Sequence, residues 1–174
     1  MRKKKMTVSK KIKEHWDLVE KAKALAKESH EGLTDKHGYP YFEHLERVAV
    51  LVTRFATAVE SVTPSGPETS EIDLYVAAAY LHDIIEDTLV TEGDLRLEFR
   101  HDELIEAVKL LTRGEGVAYS DYVVSIKNSC FTSGAIARVV KLADLFDHLM
   151  GPTPCPESLV SRYEKSLYVL YGTK

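Results

Sequence analysis

Four ionisable residues occur within one six-residue run, His82-Asp83-Ile84-Ile85-Glu86-Asp87. The run follows Val76-Ala77-Ala78-Ala79-Tyr80-Leu81, which is apolar on all sides and is therefore expected to lie in the core. Together the two stretches predict a central helix over about residues 72–87. Burying unpaired ionisable groups is costly and neighbouring carboxylates repel each other, so a bound cation would stabilise this arrangement.

The spacing within this run predicts a shared helix face. Residues four apart in a helix lie above one another, so His82 should lie over Glu86 and Asp83 over Asp87. Acidic residues near the C-terminus of a helix face the negative end of its dipole, where they are locally unfavourable. A local rule broken beside a buried helix points to function. The pair His82-Asp83 alone is equally consistent with an ordinary polar helix end.

Two further residues are candidate ligands for a cation. Asp144 interrupts an apolar helical pattern over residues 139–149, and His148 follows one turn later. His44 comes just after the loop Gly38-Tyr39-Pro40-Tyr41, at the start of another predicted helix. Taken singly, Asp144 is equally consistent with a solvent-facing acid, and His44 with a surface or capping histidine.

The elements that must position these residues are helical nearly throughout. Apolar residues recur at spacings of three and four from Trp16 to Ala26, and Thr91 is expected to cap a helix start. No sustained two-residue alternation indicates a strand. Further helices are expected at about 41–62, 103–113, 119–129, 134–150 and 156–171, separated by loops over 31–40 and 63–67. We therefore predict an all-α fold, a compact bundle of about seven or eight helices.

Length and charge narrow the class of protein. The 174 residues fit one domain, which we place at 11–174 after a basic, flexible tail at 1–10. A net charge of −4 gives no sign of a nucleic-acid binder. No signal-peptide pattern and no membrane-spanning run is present. Cys130 and Cys155 lack metal-site spacing, so we expect ordinary thiols and a cytoplasmic location.

Three ordered segments carry a family resemblance. Ser29-His30-Glu31-Gly32 with Gly38 to His44, then Ala77 to Thr88, then Val140 to Leu145, resemble the three motifs of the hydrolase domain of Rel/SpoT-type alarmone enzymes, members of the HD superfamily. The small stand-alone alarmone hydrolases are most similar. The likeness covers roughly residues 20–170 and includes Leu111-Thr112-Arg113, Tyr119-Ser120-Asp121-Tyr122 and Arg162-Tyr163.

The resemblance implies an HD-domain fold and one divalent metal ion, most often Mn²⁺. Its ligands would be the matching residues His44, His82, Asp83 and Asp144. Two imidazoles and two carboxylates suit a first-row divalent ion and leave positions for water and a phosphate oxygen. Glu86 and Asp87 would orient the water and handle protons. The implied reaction is hydrolysis of the 3′-diphosphate of a nucleotide such as ppGpp, with release of diphosphate.

Substrate contacts are expected from basic and aromatic residues on or beside the motifs. These candidates are Lys36, His37, Lys109, Arg113, Tyr119, Tyr122, Lys141 and His148. Solvated charges and half-buried aromatic packing remain equally consistent with several of them. Two positions depart from the family pattern, because Asp35 replaces a usual Arg and His148 replaces a usual Asn that touches the nucleotide. His148 can donate a hydrogen bond or reach the metal.

These departures leave three functions to be distinguished. The first is alarmone hydrolysis. The second is another nucleotide phosphohydrolase activity in the same metal site, such as a nucleotidase or an NADPH phosphatase. The third is a non-catalytic domain that senses a nucleotide, which retention of Glu86 and Asp87 argues against. All three predict a small-molecule nucleotide ligand and neither nucleic acid nor membrane as partner, and the sequence leaves the oligomeric state open.

Overall fold

The computed structural model describes residues 8–60 and 69–172, with side chains at 18–57 and 71–172. No strand occurs in these ranges, and an isolated bridge between Thr34 and Pro40 closes one loop. The prediction of an all-α bundle is confirmed. The described helices are α1 Val8–Ser29, α2 Tyr41–Glu60, α3 Thr69–Leu81, α4 Ile84–Asp87, α5 Glu92–Phe99, α6 Asp102–Leu111, α7 Tyr119–Asn128, α8 Phe131–Met150 and α9 Glu157–Tyr171.

Helix α3 lies at the centre of the bundle, where it packs against α1, α2, α6 and α8. Its residues Ala77, Ala78 and Ala79 are completely buried, as the apolar pattern predicts. Small side chains on all sides allow neighbouring helices to approach closely, and the end of α3 therefore lies deep in the molecule. The ionisable run that follows α3 begins in the core.

The predicted single helix over residues 72–87 is wrong at its C-terminal end. Helix α3 ends at Leu81, and the one-turn helix α4 begins at Ile84. Asp83 has φ −103° and ψ 0°, in the sparsely occupied bridge region where many active-site residues lie. The break redirects the chain, so that His82 and Asp83 face a common centre while Ile84 remains in the core.

Helix boundaries otherwise agree closely with the sequence pattern. Thr91 caps α5 as predicted, and it forms a reciprocal capping box with Asp94. Helix α8 begins at Phe131, three residues earlier than expected. Pro156 occupies the N-cap position of α9, and Gly172 follows the end of that helix.

The chain ends and one loop bear on the predicted domain limits. Helix α1 begins at Val8, inside the predicted tail, and residues 1–7 lie outside the described residues. The predicted break at 63–67 also lies outside them. Within the part of the chain that the structure describes, no helix combines the length and the apolar character needed to cross a membrane.

Candidate metal centre

The predicted ligands come from three separate parts of the bundle. His44 lies in the first turn of α2, His82 and Asp83 lie in the turn between α3 and α4, and Asp144 lies in the middle of α8. Donor atoms of His44, His82 and Asp144, all buried, fall within 4.8 Å of one another. Asp83 Oδ2 lies 2.9 Å from His82 Nε2 and 4.0 Å from His44 Nε2.

These spacings suit ligands that share one ion. Two donors that each lie about 2.1 Å from an ion are separated by about 3.0 Å at a right angle and about 4.2 Å on opposite sides. His44 Nε2 and His82 Nε2 lie 3.4 Å and 3.8 Å from Asp144 Oδ1, within that range. The predicted set is therefore brought together, with Asp83 at the edge of the group.

Both imidazoles are oriented for ligation through Nε2. His82 Nδ1 lies 2.8 Å from the carbonyl oxygen of Ala79, and His44 Nδ1 lies 2.7 Å from Asp147 Oδ2. Each contact engages Nδ1 and leaves Nε2 as the nitrogen that faces the centre. Among the described residues these two Nε2 atoms are buried without a hydrogen-bond partner. Because orphaned buried nitrogens are costly, the residues fit a bound cation.

The electrostatics also favour a cation. Burial lowers the pKa of His82, but the charges of Asp83 and Asp144 outweigh it and raise that pKa well above its usual value. The pKa of His44 is raised in the same way by Asp144 and Asp147. The two acidic ligands keep their charge, since the neighbouring positive groups lower the pKa of each carboxyl despite burial. The centre therefore attracts positive charge.

Each of the two candidate acidic ligands accepts a hydrogen bond from a neighbouring side chain. The Tyr41 hydroxyl donates to Asp83 Oδ2 at 2.6 Å, and Lys141 Nζ donates to Asp144 Oδ2 at 2.7 Å. Lys141 is only 9% exposed. It was predicted to contact substrate, but its ammonium group is committed to Asp144. The role of Tyr41 was missed, although its place three residues before His44 put it within reach of the same centre.

Sequence reasoning also missed the pair that holds His44. Asp147 is 5% exposed and accepts a hydrogen bond from His44 Nδ1. It also accepts two hydrogen bonds from Arg47, from Nε to Oδ1 at 2.7 Å and from Nη2 to Oδ2 at 3.0 Å. Both residues lie three positions after a predicted ligand on the same helix, Arg47 after His44 and Asp147 after Asp144. That spacing is the signal that could have found them.

The two predicted proton carriers are both exposed but have different neighbours. Asp87 lines the cleft beside the centre, and burial followed by the charge of Asp83 raises the pKa of its carboxyl. Glu86 is exposed and accepts the backbone N–H of Arg113 at 3.0 Å. The predicted stacking of Glu86 over His82 is lost, because the helix breaks between them.

A cleft of about 480 Å³ opens beside the centre. Lys36 and His37 lie on one wall, in the loop before α2, and His37 Nε2 contacts the carbonyl oxygen of Pro154 at 3.0 Å. His148 and Tyr163 lie on another wall, with their rings stacked at 5.2 Å. Two larger clefts occur elsewhere among the described residues, one beside α8 and one beside the end of α1, but neither contains a predicted metal ligand.

Two predicted substrate contacts, Lys109 and Tyr122, lie apart from this cleft. Lys109 pairs with Glu106 and Glu92 in a surface network. Tyr122 is 5% exposed and donates its hydroxyl to the carbonyl oxygen of Leu111, so its ring is part of the core and cannot stack on a base.

Tyr119 and Arg113 lie near the centre but do not line the cleft. The Tyr119 ring is half-buried, and Lys141 Nζ lies 5.7 Å from its centroid. The guanidinium groups of Arg113 and Arg162 lie 6.0 Å and 5.4 Å from the same ring. The resemblance to the Leu111-Thr112-Arg113 motif thus corresponds to a cationic cluster around one aromatic ring.

Comparisons with known proteins agree with this geometry. The family model described as HD domain matches residues 41–149, a span that contains all four predicted ligands. A solved structure described as a metazoan ortholog of SpoT, which hydrolyses ppGpp and plays a role in starvation responses, has a similar fold. Its TM-score is 0.61 at 19% sequence identity, and the alignment covers 88% of this chain and 83% of that chain.

Proposed function

This chain belongs to the HD-domain family, and from that premise we propose that it is a metal-dependent phosphohydrolase that removes the 3′-diphosphate of an alarmone nucleotide such as ppGpp. One observation carries the proposal. Two buried imidazoles, one from α2 and one from the turn between α3 and α4, present unpartnered Nε2 atoms to two carboxylates, and the other nitrogen of each ring is already engaged. That arrangement suits a divalent ion and few other ligands.

His44, His82, Asp83 and Asp144 would hold the ion. When bound, a divalent ion supplies Lewis-acid chemistry, polarising a phosphoryl oxygen and lowering the pKa of water. Mn²⁺ is the ion that the family resemblance implies. Tyr41 and Lys141 each occupy an oxygen of one carboxylate, which limits how these carboxylates can turn.

The residues of the chain supply positioning and proton transfer. Asp87 lies at the cleft, where burial and the charge of Asp83 raise the pKa of its carboxyl above its usual value, and it is placed to exchange a proton with water or with the ribose 3′ oxygen that leaves. Glu86 fixes the backbone at Arg113, which presents its guanidinium beside Tyr119. Asp87 would therefore act in proton transfer at the cleft, and Glu86 would act by positioning the backbone of Arg113.

The cleft is the proposed nucleotide site. A volume of about 480 Å³ is of the size typical for small-ligand pockets. Lys36 and His37 supply positive or hydrogen-bonding groups for a phosphorylated ligand, and Tyr163 supplies an aromatic face. Hydrolysis would transfer the diphosphate from the ribose 3′ oxygen to water.

A second candidate is a phosphatase acting on another nucleotide, such as a nucleotidase or an NADPH phosphatase. The side chain of Asp35 supports this second candidate. Its Oδ1 accepts the backbone N–H groups of His37 at 2.8 Å and of Tyr39 at 3.0 Å, so it stabilises the loop where the family usually offers a cation. The cleft consequently has one positive charge fewer for a diphosphate.

A metal analysis combined with a product assay tests the proposal. The purified protein is loaded with Mn²⁺ and supplied with ppGpp, NADPH and nucleoside monophosphates, and phosphate and diphosphate are measured separately. Diphosphate release from ppGpp, abolished in Asp83→Ala, is the expected result. Phosphate release from another nucleotide would favour the second candidate. Metal binding with no product from any nucleotide would identify a sensing domain.

A pair of lysine variants tests the nucleotide site. Lys36→Met removes a cation from the cleft and should raise KM for the nucleotide with little change in kcat. Lys127→Met removes an exposed cation of α7 that does not line the cleft, and it should leave KM unchanged. Equal KM values for both variants would place the nucleotide elsewhere.

A further inference from the structure

Three imidazole nitrogens surround a single carboxylate oxygen in this structure. Asp144 Oδ1 lies 3.4 Å from His44 Nε2, 3.8 Å from His82 Nε2 and 3.1 Å from His148 Nε2. The His148 distance is the shortest of the three. His44 and His82 are predicted metal ligands, whereas His148 was predicted to contact the nucleotide.

We propose that His148 is a third imidazole ligand of the divalent ion, so that the centre favours a nitrogen-preferring ion over Mn²⁺. The proposal rests on the proposed function, because it needs a metal ion between the other ligands. It assigns His148 to the metal rather than to the nucleotide. The Rel/SpoT-type pattern has Asn at this position, which offers no imidazole nitrogen.

The fold holds His148 against the centre from two directions. It lies one helical turn after Asp144 on α8, so the two side chains share a face. Its ring stacks between His44, at 4.8 Å and 24°, and Tyr163, at 5.2 Å and 21°. The side chain is 40% exposed, which places it at the border between the buried centre and the cleft.

A hydrogen bond from His148 and a bound ion would compete for the same oxygen of Asp144. His148 lies outside the group whose donor atoms all fall within 4.8 Å of one another, and it approaches from the side of Asp144. A His148 N–H directed at Asp144 Oδ1 would occupy the oxygen that also faces the other two imidazoles. In the neutral imidazole, Nε2 of His148 would instead offer its lone pair to an ion held by that oxygen.

A third nitrogen donor has a predictable effect on metal preference. Imidazole ligands suit Zn²⁺, Ni²⁺ and Cu²⁺, whereas oxygen ligands suit Mg²⁺ and Mn²⁺, and affinity for nitrogen sites rises from Mn²⁺ through Co²⁺. Replacing His148 by the Asn of the family pattern should therefore weaken Co²⁺ binding more than Mn²⁺ binding. The ratio of the two dissociation constants reports the donor set directly.

The test compares the unmodified protein with His148→Asn and with the matched control His37→Asn, a histidine of the same cleft that contacts Pro154 instead of Asp144. Calorimetry gives the dissociation constants for Co²⁺ and Mn²⁺, and visible absorption reports the Co²⁺ coordination. We expect His148→Asn to weaken Co²⁺ binding by at least about 10–100-fold, the range seen when supporting metal contacts are lost, and to change the spectrum. The control should change neither.

Two results would overturn the assignment, and they differ. If His148→Asn keeps the Co²⁺ affinity and spectrum while KM for the nucleotide rises, His148 is a substrate contact and the metal centre stands without it. If the unmodified protein binds neither ion, the proposed function fails together with this inference. Melting curves of the metal-free proteins confirm folding, and His148→Gln replaces His148→Asn if the latter does not fold.

Discussion

Asp87 and Glu86 provide a matched pair of acids for locating proton transfer. Both side chains are exposed, but Asp87 lines the cleft and the pKa of its carboxyl is raised, whereas Glu86 does not line the cleft and accepts the backbone N–H of Arg113. Asp87→Asn keeps the shape of the side chain but cannot exchange a proton. We expect kcat to fall by about 10²–10⁴-fold, the usual contribution of a positioned acid or base.

Glu86→Gln should have a much smaller effect. The amide oxygen of Gln can still accept the N–H of Arg113, so only the additional strength of a charged acceptor, about 1 kcal/mol, is lost. That energy corresponds to at most about a 5-fold change in rate. The assay is diphosphate release at saturating substrate, with the metal titrated for each variant. A large loss in Glu86→Gln with near-normal Asp87→Asn would refute the assignment, and rescue of Asp87→Asn by excess metal would make Asp87 a support for the ion.

Three further changes test the centre itself. At an ion concentration of 100 times Kd, binding adds about 2.7 kcal/mol to the free energy of unfolding, which raises the melting temperature by roughly 5–10 °C. This metal-dependent rise should be smaller in Asp83→Ala. An unchanged rise would contradict a ligand role for Asp83. Asp147→Asn still accepts from His44 but holds it less firmly, so Mn²⁺ affinity measured by calorimetry should fall about 10–100-fold while the metal-free protein keeps its fold. Lys141→Met leaves Asp144 buried without its ammonium partner. Denaturant unfolding of the metal-free protein should show a free energy of unfolding lower by up to about 3–5 kcal/mol, and the bound ion should recover part of it. An unchanged unfolding midpoint would mean that the ion pair contributes little to stability.

Local patterns were sufficient for much of the fold, and with the family motif they selected the candidate ligands that the structure brings together. The helix periodicity, the cap at Thr91 and the all-apolar stretch before His82 are properties of neighbouring residues, and each predicted an element that the structure contains. The ligands carry a family motif, and their residue types limit what they can bind. For His44 and Asp144 the motif was necessary, since each residue alone suited an ordinary role equally well.

The substrate contacts were harder to predict because burial depends on distant parts of the chain. Lys109, Tyr122 and Lys141 had suitable chemistry at suitable spacing. Helix packing nevertheless places Lys109 of α6 in a surface ion-pair network and Tyr122 of α7 in the core. It places Lys141 of α8 against Asp144. A sequence pattern defines a face of a helix, but only tertiary packing defines what that face meets.

The sequence by itself therefore determined the helices and the residue types that the fold brings to the candidate metal centre. The tertiary structure decided how the centre is oriented, through the break after Leu81, the contact of Tyr41 with Asp83 and the Arg47–Asp147 pair behind His44. The physical reason is the range of the interactions. Helix propensity and capping act within a few residues, whereas hydrogen bonds such as that between His44 and Asp147 join residues 103 positions apart and exist only after the helices have packed.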